Sequence, residues 1–156
     1  MRNLGVAVDF SPCSRAALRW ASDNLVRGGD RVVVVHVNSC YQNEQGIVHL
    51  WEHTGSPFIP LNEFCDPTVG KKYGVAPDSE TLEILRRMAN QKKVEVVAKI
   101  YYGDAKAMLC EAIDKIPLHY LVVGSRALSK LKRALLGSVS SHVVSNAVCP
   151  VTVVKH

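Results

Sequence analysis

The chain lacks the features that mark a secreted or membrane-bound protein. Its 156 residues include only five cysteines, an odd number without a CxxC pair, so a disulfide framework is not expected and the thiols are predicted to be reduced. No apolar run approaches the roughly 20 residues of a transmembrane helix. The apolar run before Asp9 is also too short for a signal peptide. These absences predict a soluble protein of the cytoplasm, with the nucleus as a further location, and no membrane partner.

Dense basic runs are also missing. The net charge of +5 is mild, which suits a protein that binds small anions and makes nucleic acid an unexpected partner. With 47% hydrophobic residues, the chain is long enough for one complete core and too short for two. We therefore predict a single domain over residues 1–156.

Short apolar runs alternate with segments of helical periodicity. The predicted strands cover residues 4–8, 31–37, 94–101, 119–124 and 150–155. Helices are predicted to start at Ser11-Pro12, at Pro77-Asp78-Ser79, after Gly103-Asp104 and at Ser138, and the first is expected to stop at Gly28-Gly29. The second strand is apolar on both faces, which is typical of a parallel sheet covered by helices on each side. The alternation predicts an α/β domain with right-handed crossovers.

Residues 38–76 interrupt this pattern. The segment contains several glycines and prolines with aromatic residues between them and shows no clear periodicity. Such a long insertion is either a lid or binding segment, or a decoration of the sheet edge that includes a short helical turn. The sequence leaves both interpretations open.

Two glycines, each followed by a serine, frame a basic segment near the C-terminus. Gly124 follows the fourth strand, and Gly137 precedes the last helix. Glycine lets backbone N–H groups approach a phosphate, and a helix N-terminus favours an anion. The hydroxyls of Ser125, Ser138 and Ser140 and the guanidinium of Arg126 could add hydrogen bonds. Neither a P-loop nor a GxGxxG motif is present, so a nucleotide site and a plain strand–loop–helix connection both remain open.

Asp9 ends the first strand. In an open parallel sheet, ligands bind beyond the carboxyl ends of the strands where the strand order reverses. If the first and fourth strands are neighbours there, Asp9 faces the Gly124 loop across a crevice. Asp9 could instead serve only the start of the helix at Pro12.

Several separated motifs together resemble the universal stress protein family, in particular its small single-domain plant members. They are Val8-Asp9-Phe10-Ser11, His36-Val37, and the segment from Gly124 to Lys155 that begins GSRALSKLKRALLGS. The resemblance covers essentially the whole chain. It implies a flavodoxin-like (adenine nucleotide alpha hydrolase-like) five-stranded parallel sheet of order 3-2-1-4-5 with helices on both faces. It also implies a homodimer that pairs through the last strand, Val151 to Val154.

The resemblance also implies a ligand, AMP or ATP, with Mg as a possible companion of the nucleotide. The family's nucleotide-binding branch carries a G-x2-G-x9-G-[ST] motif, which falls here on Gly124, Ala127, Gly137 and Ser138. Alanine replaces the second glycine, and this departure affects the phosphate side and hence triphosphate binding more than AMP binding. Ala127→Gly should therefore alter ATP affinity relative to AMP affinity. We expect Gly124→Val to weaken binding and leave the fold intact.

The remaining site residues follow from the same resemblance. Asp9 corresponds to a contact with the ribose hydroxyls or with nucleotide-bound Mg, and Val37 to backbone hydrogen bonds with adenine. The others line the adenine or complete the phosphate side: Ala7, Val8, Val123, Arg126, Val139 and Ser140.

Three functions follow as alternatives. The favoured one is an adenine-nucleotide binding protein that acts as a stress-response signalling or protective module. The second is a slow ATP hydrolase at the same site, for which the sequence offers no Walker lysine and no evident water-activating residue, so no catalytic residue is assigned. The third is a nucleotide-free, chaperone-like or RNA-associated protein. His49 and His53 have no third ligand nearby, so no protein metal site is expected.

Overall fold

The computed structural model describes residues 1–39, 51, 54–125 and 138–155. Its strands are β1 (Asn3–Ala7), β2 (Arg31–Asn38), β3 (Ile59–Pro60), β4 (Glu95–Tyr102), β5 (Tyr120–Gly124) and β6 (Val151–Val154). Its helices are α1 (Pro12–Asn24), α2 (Leu61–Phe64), α3 (Pro67–Tyr73), α4 (Ser79–Lys92), α5 (Ala105–Lys115) and α6 (Ser138–Asn146). The strands and long helices expected from the sequence all form, with ends that differ by a few residues.

The strands form one sheet of order β3-β4-β2-β1-β5-β6. Five of them are parallel, and the order β4-β2-β1-β5-β6 is the predicted 3-2-1-4-5. The prediction of five strands is wrong by one, because β3 adds a sixth. This two-residue strand runs antiparallel along the outer edge of β4, where Ile59 lies opposite Ala98. The predicted α/β class is confirmed, and the chain reverses its strand order between β1 and β5.

Helices cover both faces of the sheet, as the apolar β2 strand predicts. Val32 and Val34 belong to one core cluster, together with side chains of α1 and α4 such as Leu18 and Leu85. Val33 belongs to the other cluster, which includes side chains of α5 and α6. Burial on both faces explains why β2 shows no polar alternation.

Residues 54–76 decorate the edge of the sheet. They form β3, α2 and α3, and the side chains of Ile59, Phe64 and Tyr73 are buried in the core. The Tyr102 hydroxyl donates to the Tyr73 carbonyl oxygen over 2.6 Å, which fastens this segment to β4. For these residues the edge interpretation holds, while residues 40–50 and 52–53 of the predicted insertion lie outside the described part.

Helix α1 shows how local signals set one end of an element and tertiary contacts the other. Ser11 is the N-cap and forms a capping box with Ser14, as expected for serine before a proline. The helix ends at Asn24, before the predicted stop at Gly28-Gly29. There the Arg2 guanidinium donates to the Leu25 carbonyl oxygen over 3.1 Å, so a contact with the residue before β1 holds the C-terminal end of the helix.

None of the helices in the described ranges is long and apolar enough to cross a bilayer.

Candidate functional site

A cavity of about 250 Å³ opens at the carboxyl ends of β1, β2 and β5. It is lined by Ala7, Val8, Asp9, Ser14, Val35, Val37, Ser39, Ala105, Leu109, Val123, Gly124 and Val139. This is the position where the strand order reverses, and open parallel sheets bind their ligands at such positions. The walls are mainly apolar, with one carboxylate and two hydroxyls, a composition that suits a flat aromatic ligand carrying polar groups.

Seven of the predicted site residues meet in this cavity: Ala7, Val8, Asp9, Val37, Val123, Gly124 and Val139. Ser138 and Ser140 lie in the first turn of α6, next to Val139. Arg126, Ala127 and Gly137 lie outside the described residues. Ser125 is buried and its N–H donates to the Val154 carbonyl oxygen over 3.1 Å, which places it in the connection to β6 and apart from the cavity lining.

Asp9 both lines the cavity and supports the start of α1. Its carboxylate accepts hydrogen bonds from the backbone N–H of Ser11, over 3.1 Å, and from the Ser11 hydroxyl. Phe10 between them has a φ of 62°, the left-handed conformation that turns the chain out of the sheet. The carboxylate that supports the start of the helix therefore also lines the cavity, because the same turn places it there.

Gly124 lies against the first turn of α1. A Cβ added to it would be 2.8 Å from the carbonyl oxygen of Cys13 and 3.1 Å from the carbonyl carbon. Backbone atoms of a helix cannot move aside as a flexible side chain can. The expectation that Gly124→Val leaves the fold intact is therefore wrong, since β5 or α1 must shift to accommodate any side chain here.

Val37 presents backbone groups to the cavity. The N–H of Val8 donates to the carbonyl oxygen of Val35 over 2.9 Å, and the N–H of Gly103 donates to the carbonyl oxygen of Asn38 over 3.2 Å. Val35 therefore faces β1 and Asn38 faces β4. Because peptide groups alternate along a strand, the N–H and C=O of Val37 face the β1 side, beyond the end of β1 at Ala7.

The sequence model of the universal stress protein family matches residues 1–155. The chain belongs to this family.

Relatives agree with this assignment. The universal stress protein PHOS32 of Arabidopsis thaliana is 31% identical over 165 aligned residues, which cover 99% of this chain and 65% of that protein. The chain thus spans less than two thirds of the length of this curated relative, and 62% of the related PHOS34 from the same plant.

Solved structures share the fold of this universal stress protein. A family member from Arabidopsis thaliana with AMP bound superposes with a TM-score of 0.62 at 21% identity, covering 100% of this chain and 92% of that one. A universal stress protein from Archaeoglobus fulgidus in complex with dAMP superposes with a TM-score of 0.61 at 20% identity, covering 99% and 98%. At these identities the likeness establishes the fold alone.

Five cavity residues of this universal stress protein were not predicted: Ser14, Val35, Ser39, Ala105 and Leu109. Val35 lies two residues before the predicted Val37 on β2, and Ser39 lies two residues after it, just beyond the strand. Because alternate side chains of a strand share one face, Val35 could have been predicted from Val37. Ala105 and Leu109 lie on one face of α5, which follows β4. No sequence pattern indicates that this face reaches the cavity, because that depends on how α5 crosses the sheet.

His36 lies behind the cavity wall. Its Nδ1 is 2.7 Å from the carbonyl oxygen of Val8, and its ring packs against Phe10 with 4.5 Å between the ring centroids. Burial lowers the pKa of His36, although the hydrogen bond to Val8 and the charge of Asp9 act in the opposite direction. The imidazole is therefore neutral at pH 7, and since a carbonyl can only accept, Nδ1 carries the proton.

Arg15 holds the same turn from the opposite side. One guanidinium nitrogen donates to the carbonyl oxygen of Phe10 over 3.1 Å and to the carboxylate of Asp78, the N-cap of α4, over 3.0 Å. Nε lies 3.2 Å from Glu80. The β1–α1 turn that carries Asp9 is thus tied to α4.

Four cysteines lie within the described ranges, and all four are partly buried. They are Cys13, Cys65, Cys110 and Cys149, of which Cys110 and Cys149 pack against the core. Burial raises the pKa of Cys110 and of Cys149, which keeps both thiols protonated at neutral pH. Within the described part of the chain, no three His, Cys, Asp or Glu side chains form a group that could hold a metal ion.

Proposed function

We propose that this universal stress protein binds an adenine nucleotide in the cavity at the carboxyl ends of β1, β2 and β5. The observation that carries the proposal is the cavity itself, which brings together seven of the nucleotide contacts that the resemblance implies, at the point where the strand order reverses. The AMP and dAMP complexes of proteins with the same fold support it.

The chemistry of the lining suits the parts of a nucleoside. Apolar walls, including Val35, Leu109 and Val139, can enclose an adenine ring. The peptide groups of Val37 face the same space and can serve as donor and acceptor for the edge of the base. The carboxylate of Asp9 suits ribose hydroxyls, or Mg carried by the nucleotide.

The phosphates are proposed to lie toward the N-terminus of α6. This helix begins at Ser138, and the N–H groups in the first turn of a helix favour an anion. We propose AMP before ATP, because Ala127 replaces the second glycine of the motif on the phosphate side. Binding then acts as the signal in a stress response or as part of a protective role, and turnover is not required.

A cavity-filling substitution with a matched control tests this proposal. Ala105 lines the cavity from the first turn of α5 and is partly exposed, so Ala105→Phe fills the ligand space without overpacking the core. Ala107 is exposed on the same helix and does not line the cavity, which makes Ala107→Phe the control. AMP affinity is measured by isothermal titration calorimetry, after thermal unfolding has shown that both variants fold.

We expect Ala105→Phe to weaken AMP binding at least about tenfold, because the ring excludes the base or the ribose from the space they need. The control should bind as the wild type does. Equal affinity of all three proteins would place AMP elsewhere, and a wild type that binds neither AMP nor ATP would refute the proposed function.

We further propose that a second copy of the chain pairs with β6. This strand lies at the edge of the sheet, and its four residues, Val151 to Val154, are half-buried. Val148, just before it, is 79% exposed. Among the described residues no further strand pairs with its outer side, and an apolar edge strand invites pairing with another chain. Light scattering during size-exclusion chromatography should give twice the mass of the chain, and a monomeric mass at micromolar concentration would refute the dimer.

A further inference from the structure

The hydrogen-bond ladder between β1 and β2 stops where the cavity begins. In a parallel pair the bonds are evenly spaced, so after the bond from the Val8 N–H to the Val35 carbonyl oxygen the next one should run from the Val37 N–H to the Val8 carbonyl oxygen. Within the described residues the backbone of Val37 makes no such bond to Val8. The Val8 carbonyl oxygen instead accepts from Nδ1 of His36 over 2.7 Å.

The position of His36 makes this replacement possible. The residue precedes Val37 on β2, so its side chain points to the opposite face of the sheet. There the ring packs on Phe10, whose left-handed conformation turns the chain away from β2 directly after Asp9. The Val8 carbonyl can therefore turn toward the imidazole, and a buried carbonyl has its partner without using the N–H of Val37.

We infer that His36 is a positioning residue for base recognition: by binding the Val8 carbonyl in place of the Val37 N–H, it leaves the Val37 peptide groups directed at the cavity for the adenine edge. The inference rests on the proposed function. It adds to that function the residue that keeps the Val37 N–H from bonding to the Val8 carbonyl oxygen. His36 itself does not line the cavity, so its effect on a ligand passes through Val37.

Two substitutions separate this role from simple packing. His36→Phe keeps an aromatic ring against Phe10 and removes the donor. His36→Asn keeps a side-chain N–H close to the position of Nδ1 and serves as the conservative rescue. Urea unfolding first establishes that both variants are folded at the working temperature.

The first measurement needs no ligand. Hydrogen exchange of the Val37 amide, followed by NMR, should be fast in the free wild type and in His36→Asn, and slowed at least about tenfold in His36→Phe. The reason is that the Val8 carbonyl, having lost the imidazole, takes up the Val37 N–H as its remaining nearby donor. A Val37 amide that exchanges equally in the wild type and in His36→Phe would overturn the inference.

The second measurement compares AMP with IMP, in which the donor and acceptor at positions 6 and 1 of the purine are exchanged. The wild type should prefer AMP about tenfold or more, because a mismatched edge leaves buried peptide groups without partners. His36→Phe should lose most of that preference, and His36→Asn should retain it. Equal weakening for both nucleotides indicates a packing role only and overturns the inference.

The two proposals fail in different ways. A wild type that binds neither nucleotide refutes the proposed function and removes the base that His36 is inferred to serve. Binding of AMP by all three proteins with an unchanged preference over IMP refutes the role of His36 alone.

Discussion

Gly124→Ala tests whether the glycine after β5 is needed for packing. The added Cβ would lie 2.8 Å from the carbonyl oxygen of Cys13 and 3.4 Å from the Cβ of that residue. A contact below 3.0 Å with backbone requires β5 or the first turn of α1 to move. β5 is held by β1 on one side and by β6 on the other, so neither element moves without disturbing the sheet.

The expected size follows from two opposing effects. Overpacking of this kind costs about 1–3 kcal/mol of unfolding free energy. Replacing glycine by alanine restrains the unfolded chain and returns about 0.4–1 kcal/mol. We expect a net loss of about 1–2 kcal/mol, equivalent to a fall in melting temperature of about 2–8 °C for a domain of this size.

Urea denaturation followed by circular dichroism measures the change, with Gly28→Ala as the control. A Cβ at Gly28 would lie 3.5 Å from the carbonyl oxygen of Lys92, an ordinary contact, so only the unfolded-chain effect remains and we expect a gain of about 0.4–1 kcal/mol. If Gly124→Ala were as stable as Gly28→Ala, the close approach to α1 would not explain the glycine. Its role would then lie with the ligand, as the sequence motif suggests.

Three further changes probe the site and the buried imidazole. Asp9→Asn should reduce the preference for AMP over dAMP about three- to tenfold, because a neutral amide is a weaker acceptor for a ribose hydroxyl. If calorimetric titrations showed an unchanged preference, Asp9 would serve only the turn before α1. Ala127→Gly should alter ATP affinity more than AMP affinity, and identical responses would show that this position does not affect the phosphates. For His36, burial lowers the pKa from 6.5, so the unfolded chain binds the proton first and the unfolding free energy should fall as the pH drops from 7 toward 5. In urea titrations at several pH values, His36→Phe should show a smaller fall in unfolding free energy between pH 7 and pH 5. Equal falls in the wild type and the variant would show that His36 does not cause this pH dependence.

Much of the fold could be predicted because its signals are local. Ser11 before Pro12, Asp78 before α4 and Asp104 before α5 are N-caps that also mark helix starts in the sequence. The strand β3 could not be predicted in this way. It has two residues, one of them a proline, and becomes a strand only through its pairing with β4.

The candidate site divides in the same manner. Residues at the ends of β1, β2 and β5 were predictable, because parallel strands align their carboxyl ends at one edge of the sheet. Ser39 and Leu109 were not, since their presence in the cavity depends on the course of the chain after β2 and on the crossing of α5.

The sequence by itself determined the order of strands and helices, the doubly apolar β2 and the chemical groups available at the strand ends. Only the tertiary structure decided which of these groups meet. It brought Gly124 against the backbone of Cys13, which gives a packing reason for a glycine that the sequence motif assigns to the phosphates. It also placed His36 on the Val8 carbonyl, 28 positions away in the chain. Periodicity and capping act within a few residues, whereas close approach and hydrogen-bond exchange depend on how distant segments pack.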